Sequence, residues 1–159
     1  MTEIREVRSS SDVADTRVLF LEYAAGLGVS LEFQGFAEEL RTLPAPYAAP
    51  GGVLFVAYSE GELAGCVGVR RLADETCELK RLFVRPFYRS QGVGRALTER
   101  AISWARDAGY QTMRLDTMPS MQAARRLYAE LGFREVPAYR HNPVPGTSFL
   151  ELSLRGLAD

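Results

Sequence analysis

Three strand-like stretches follow one another between residues 53 and 84 with little between them: VLFVAY (53–58), ELAGCVGVR (62–70) and CELKRLFV (77–84). Only Ser59, Glu60 and Gly61 separate the first two, too few for a crossover helix, so the pair reads as an antiparallel hairpin. Helical periodicity dominates only afterwards. Between Gln91 and Ala108 apolar side chains recur at Val93, Leu97, Ala101, Trp104 and Ala108, and Gly109 ends the run. Thr112 to Thr117 (TMRLDT) alternates like a strand. Pro119 to Leu131 is helical, with Met121, Ala124, Leu127, Tyr128 and Leu131 on one side and Gly132 after its end. Phe133 to Val136 and Ser148 to Leu154 close the pattern as strands. A meander followed by strand–helix alternation argues for an α+β (mixed α/β) domain and against a doubly wound sheet.

Upstream the signals are weaker. Thr2 to Arg8 is a strand candidate. Ser11 or Asp12 caps a helix running to about Leu27, with Val13, Leu19, Leu21 and Tyr23 available for burial and Gly26 and Gly28 to stop it. A short helix from about Gln34 to Leu43 offers Phe36, Leu40 and Leu43, and PAPYAAPGG (44–52) is loop. With 47% hydrophobic and 25% charged residues, the chain suits a single domain over residues 1–159 with a full core.

Cys66 and Cys77 lie in apolar surroundings without a CxxC or His/Cys cluster, which favours buried reduced thiols over a bridge or a metal site. No apolar stretch has the length of a signal peptide core or a membrane span, so the expectation is a soluble cytoplasmic protein. The net charge of -1 offers no global attraction to nucleic acid or membrane. Charge is nevertheless uneven: Arg70 to Arg100 holds eight basic residues against four acidic ones. Only one of the 19 basic residues, Lys80, is lysine.

The segment RPFYRSQGVGRAL (85–97) joins the third strand to the first strongly amphipathic helix. Amides at a helix N-terminus bind phosphate or pyrophosphate, and glycines allow close approach. Arg89, Ser90, Gln91, Gly92, Val93 and Gly94 have that character. No Gly-Lys-Ser/Thr follows, which excludes a Walker loop, and Leu97 stands where a dinucleotide fingerprint needs its third glycine. A strand-to-helix turn using glycine for geometry alone is the alternative.

The flanks carry more. LFVRPFYRSQGVGRAL (82–97) together with LYAELGF (127–133) resembles the two signature motifs of the GNAT superfamily of acyl-CoA-dependent N-acetyltransferases, matched at Val84, Pro86, Arg89, Gly92 and Gly94, then at Leu127, Tyr128, Gly132 and Phe133. The resemblance is strong over residues 53–136. It implies a mostly antiparallel mixed sheet of six to seven strands with about four helices, a splayed parallel strand pair forming the cofactor cleft, and acetyl-CoA as acetyl donor with no metal. It places the pyrophosphate on the amides of 89–94 and the pantetheine arm along Leu82, Phe83 and Val84, like an added strand.

By the same resemblance Tyr128 is the general acid for the departing thiolate; a packed helical aromatic is its other reading. Glu78 stands where some members place a general base, but it could equally pair with a neighbouring arginine. Glu78, Lys80 and Arg81 are costly in a central strand unless a solvated cleft receives them. Strand period sends Glu78 and Lys80 to one face and Leu79 and Arg81 to the other. The loop YRHNPVPG (139–146) puts Tyr139, His141 and Asn142 forward as substrate contacts on the acceptor side. Asp116 and Thr117, at the end of their strand and opposite the splay, are similarly placed, with capping and a turn before Pro119 as the favoured reading.

The reading is an N-acetyltransferase acting by direct transfer on a primary amine of unidentified acceptor. A non-catalytic CoA-binding regulatory or interaction module of the same fold is the alternative. A nucleic-acid binder is disfavoured by the acidic balance and the lack of a basic stripe with interleaved aromatics. Oligomeric state is open, a homodimer being the commonest arrangement.

Overall fold

The computed structural model describes residues 1–28 and 30–155; Val29 and residues 156–159, included in the single domain expected over 1–159, lie outside the described residues. In chain order the elements are β1 (Thr2–Glu6), α1 (Ser10–Leu27), α2 (Phe36–Thr42), β2 (Val53–Ser59), β3 (Glu62–Ala73), β4 (Thr76–Val84), α3 (Val93–Asp107), β5 (Thr112–Thr117), α4 (Gln122–Glu130), β6 (Arg134–Val136) and β7 (Ser148–Ser153). The strands form one sheet in the order β1-β2-β3-β4-β5-β7-β6. All neighbours are antiparallel except β4 and β5, the mixed architecture expected from the meander-first order.

Alternation along β2 divides the core. Val53, Phe55 and Ala57 face one layer with Val67, Val69, Cys77 and Leu79, against Val93, Leu97 and Ala101 of α3. Leu54, Val56 and Cys66 face the other, against Leu19 and Phe20 of α1 and Phe36 of α2. Because strand side chains point alternately to opposite faces, a continuous apolar run such as VLFVAY can serve both layers. Two details of α1 differ from expectation. Its cap is Ser9, whose hydroxyl accepts from the Asp12 amide while Asp12 reaches back to the cap, a reciprocal box that sets the start of the helix at Ser10. Leu21 is exposed rather than buried.

The parallel pair opens into a cleft. β4 and β5 are in register only at Thr76↔Thr112, Cys77↔Met113 and Glu78↔Arg114. Beyond Glu78, β4 follows β3 to Val84 while β5 stays paired with β7 to Thr117, so the strands diverge and the free edge of β4 faces the gap.

A bulge shapes that edge. Between the pairs Gly68↔Lys80 and Cys66↔Phe83, β3 advances two residues and β4 three. Arg81 takes the extra place at φ +61, a left-handed conformation costing a non-glycine residue roughly 1–2 kcal/mol. The simple alternation expected for this strand is therefore broken. Lys80 and Arg81 reach the same acceptor, Gln34 Oε1, at 2.9 and 2.7 Å. One face thus collects all three charged side chains of β4, which strict periodicity had divided.

Candidate active site

The gap between β4 and β5 is a cleft of about 640 Å³. One end is built by the loop entering α3. Ser90 at φ +64 and Gly92 at φ +83 turn the backbone before the helix; Gly92 supplies this conformation without strain. No side chain caps α3, and the first intrahelical bond runs from Ala96 N–H to Gly92 C=O. The amides of Val93, Gly94 and Arg95 are left at the positive end of a 15-residue helix, open to an anion. Arg89 braces the loop, its Nε donating to Val84 C=O at 2.8 Å.

Leu82, Phe83, Val84, Arg89, Ser90, Gly92, Val93 and Gly94 all line this cleft, as do Tyr128 and Asn142. Gln91 does not; its amide nitrogen donates to Phe87 C=O at 3.2 Å on the exposed side. His141 is exposed and stands outside the cleft lining.

Tyr128 comes from α4, its ring packed on Phe133 with centroids 5.5 Å apart. The residue is 5% exposed and its hydroxyl has no hydrogen-bond partner among the described residues. Burial pushes the phenol well above its ordinary range, and Tyr23 and Asp116 push it the same way. It is therefore protonated at neutral pH and able to donate.

Glu78 sits at the fork where the parallel strands part, fully buried and outside the cleft lining. Oε1 accepts from Arg70 Nε at 2.9 Å, while Oε2 accepts from Tyr139 Oη at 2.8 Å and lies 2.6 Å from Arg140 Nη2. Burial alone would raise the carboxyl's pKa; the hydrogen bond from Arg140 and the charges of Lys80, Arg140 and Arg70 outweigh it and hold the pKa at about 2. These contacts make Glu78 an ion-pair partner of Arg70 and Arg140. Tyr139 is likewise turned inward, stacking edge-on against Phe149 and binding Glu78.

Periodicity alone did not single out the charged set around the fork. Arg140 Nη1 is buried without a hydrogen-bond partner and lies 3.6 Å from Asp116 Oδ2. Asp116 lines the cleft and accepts from Asn142 Nδ2 at 3.2 Å. Arg81 makes a buried two-point pair with Glu39, at 3.0 and 2.8 Å. Lys80, only 5% exposed, lines the cleft. Burial, with Arg81 beside it, lowers its pKa to about 8. The available signal was three charges within four residues of a central strand, and the bulge determined how they are shared.

Residues 22–133 match the acetyltransferase (GNAT) family. The chain belongs to the GNAT acetyltransferase family. It is accordingly an acyltransferase enzyme. An uncharacterized N-acetyltransferase of Schizosaccharomyces pombe is 35% identical over 153 residues, spanning 95% of this chain and 94% of its own. The N-acetylaspartate synthetase of Xenopus tropicalis is 36% identical over 98 residues, 61% of this chain and 36% of that protein. Among solved structures, the PaiA N-acetyltransferase of Thermoplasma acidophilum in complex with coenzyme A has the same fold, with a TM-score of 0.71 at 18% identity over 96% of this chain and 99% of that one. In this GNAT enzyme residues from both segments, 82–97 and 127–133, line one cleft. No helix among the described residues is long and apolar enough to cross a membrane.

Proposed function

We propose that this enzyme transfers an acetyl group from acetyl-CoA directly to a primary amine, both substrates being bound together in the cleft. The observation that carries the proposal is the juxtaposition, in one cleft, of an uncapped helix N-terminus, an unpaired strand edge and a protonated phenol. Acetyl-CoA supplies its acetyl group as a thioester. The free amides of Val93, Gly94 and Arg95 suit its pyrophosphate. The edge of β4 beyond Glu78 suits the amide-bearing pantetheine arm, which pairs with it as a strand would. Tyr128 Oη holds the proton that the departing thiolate needs.

Glu78 serves this site as an anchor rather than as a base. A carboxylate with pKa about 2 and both oxygens engaged has little tendency to take a proton from an ammonium group. Its work is to fix Tyr139 and Arg140 over the fork. Direct transfer is supported by the state of the two thiols. Cys66 and Cys77 are fully buried, and burial raises both thiol pKa values, that of Cys77 to about 12, which removes the thiolate an acyl carrier would use. The relationship to N-acetylaspartate synthetase supports a small amino compound as acceptor.

The test is a thiol-release assay with acetyl-CoA over a panel of small amines, paired with thermal unfolding in coenzyme A. Binding at 100 times the Kd stabilises the fold by about 2.7 kcal/mol, enough to raise the melting temperature by several degrees. No rise at millimolar coenzyme A or acetyl-CoA overturns the proposal.

A further inference from the structure

We infer that Lys80 is the recognition residue for a carboxylate on the amine acceptor, so that the substrate is an amino acid rather than a simple amine. The inference deepens the acetyltransferase proposal and rests on it for the direction of transfer. It begins with an imbalance of charge. Around the fork stand four cationic side chains, Arg70, Lys80, Arg81 and Arg140, and three carboxylates, Glu39, Glu78 and Asp116. Each carboxylate is taken: Glu39 by Arg81 and Tyr47, Glu78 by Arg70, Arg140 and Tyr139, and Asp116 by Asn142 and the nearby Arg140.

Lys80 is the cation left over. Among the described residues no carboxylate lies within 4.0 Å of its ammonium, and its hydrogen-bond partner is the neutral amide oxygen of Gln34, at 2.9 Å. An ammonium has three donors. A buried cation with one neutral partner is costly, unless the missing charge arrives with a ligand. Lys80 lines the cleft, so a ligand can reach it.

Its place in the strand decides which ligand. Lys80 lies two residues past the last β4–β5 pair, on the face of the sheet covered by α1 and α2. Val84, where the anion loop begins, pairs with Gly65, three residues along β3 from the Gly68 that pairs with Lys80, roughly 10 Å at about 3.3 Å per residue. The cofactor's phosphates belong at that far end, on the amides of α3. The anion beside Lys80 is then the acceptor's. Asp116 lines the same cleft and carries the opposite charge; its contacts with Asn142 and Arg140 run through Oδ2, and among the described residues Oδ1 is left for a ligand. A cation and an anion across one cavity match the two ends of an amino acid, whose carboxylate meets Lys80 while its amino group lies toward Asp116.

The chain offers an unusually direct test. Lys80 is its sole lysine, so protein labelled with 13C at lysine Cε gives one side-chain NMR signal. Glycine, alanine, aspartate and glutamate are titrated with coenzyme A present, against glycinamide, alaninamide and the diamides of aspartate and glutamate. The expected result is a saturable shift of the Lys80 signal by at least one of the acids and none by its amide. Thiol release with acetyl-CoA should show at least a tenfold preference in kcat/KM for that acid over its amide. Lys80→Gln should abolish the preference through KM while leaving acetyl-CoA affinity unchanged, and Lys80→Arg should recover part of it.

A Lys80 signal unmoved by every acid overturns the inference. So does equal use of acids and amides, or acetylation of Lys80 itself in place of an added amine. Failure of the acetyltransferase proposal looks different: the acids move the signal, yet coenzyme A neither stabilises the fold nor supports thiol release.

Discussion

Arg140 Nη2 lies 2.6 Å from Glu78 Oε2, and this contact ties the loop between β6 and β7 to the point where the parallel strands separate. Glu78 also holds Arg70, so one buried carboxylate pairs with cations from β3 and from the β6–β7 loop. Removing its charge leaves both guanidinium groups short of a partner. Glu78→Gln should therefore destabilise the fold by about 3–5 kcal/mol, the usual loss when one side of a buried ion pair is deleted. Urea unfolding measures it. Any loss of transferase activity should be uniform between about pH 6 and 9; recovery as the pH rises would make Glu78 a base after all.

The same carboxylate sets an acid limit on stability. Its pKa is about 2 in the fold against an ordinary 4.5, so the folded state binds the proton less readily than the unfolded chain. That stability is fully present above about pH 4.5 and is lost as the pH falls toward 2. The window corresponds to about 3 kcal/mol at about 1.36 kcal/mol per pKa unit. Urea midpoints should fall across it, and Glu78→Gln should flatten the fall.

Tyr128→Phe removes a hydroxyl without a hydrogen-bond partner among the described residues while keeping the ring against Phe133. The melting temperature and coenzyme A affinity should stay the same. Turnover should fall by on the order of 100-fold or more, the usual contribution of a positioned acid. An unchanged kcat on an accepted amine removes Tyr128 from the chemistry.

Gly94→Ala should separate folding from binding. A β-carbon there meets Val84 Cγ2 at 3.6 Å and Leu127 Cδ2 at 4.0 Å, ordinary contacts, and Gly94 is not among the positive-φ residues. Alanine raises helix propensity by up to about 1 kcal/mol, so the ligand-free protein should be as stable or slightly more so. Its methyl group intrudes between the two cleft walls, and coenzyme A affinity should drop about tenfold by calorimetry. Gly92→Ala, at φ +83, should instead lose stability.

Much of this was legible because it is periodic or local. The α3 pattern from Val93 to Leu97 and Ala101 marks its buried stripe, and the Val84-to-Gly94 and Leu127-to-Phe133 spacings mark two walls of one cleft. What stayed hidden depends on long-range geometry. Nothing near Glu78 in sequence announces Arg140, sixty-two positions later, because a loop brings them together. Nor could alternation assign Arg81, since a bulge is an extra residue in a strand that otherwise reads normally. The capping box of α1 was readable in principle, Ser9 and Asp12 having the right spacing, but neighbouring serines made the start ambiguous.

The bulge at Arg81 makes β4 a strand whose two halves count in different parity. Up to Lys80, even-numbered residues face α1 and α2; after it, Phe83 faces them and Leu82 and Val84 face α3. Deleting Arg81 would bring β4 to the same two-residue advance as β3 and leave Leu82, Phe83 and Val84 on the faces they now occupy, while removing the cation paired with Glu39. The extra residue thus adds Arg81 to the face of Lys80 without disturbing the strand beyond it, and a loss of length at this one position would be felt by the ion pair with Glu39 rather than by the register that leads to α3.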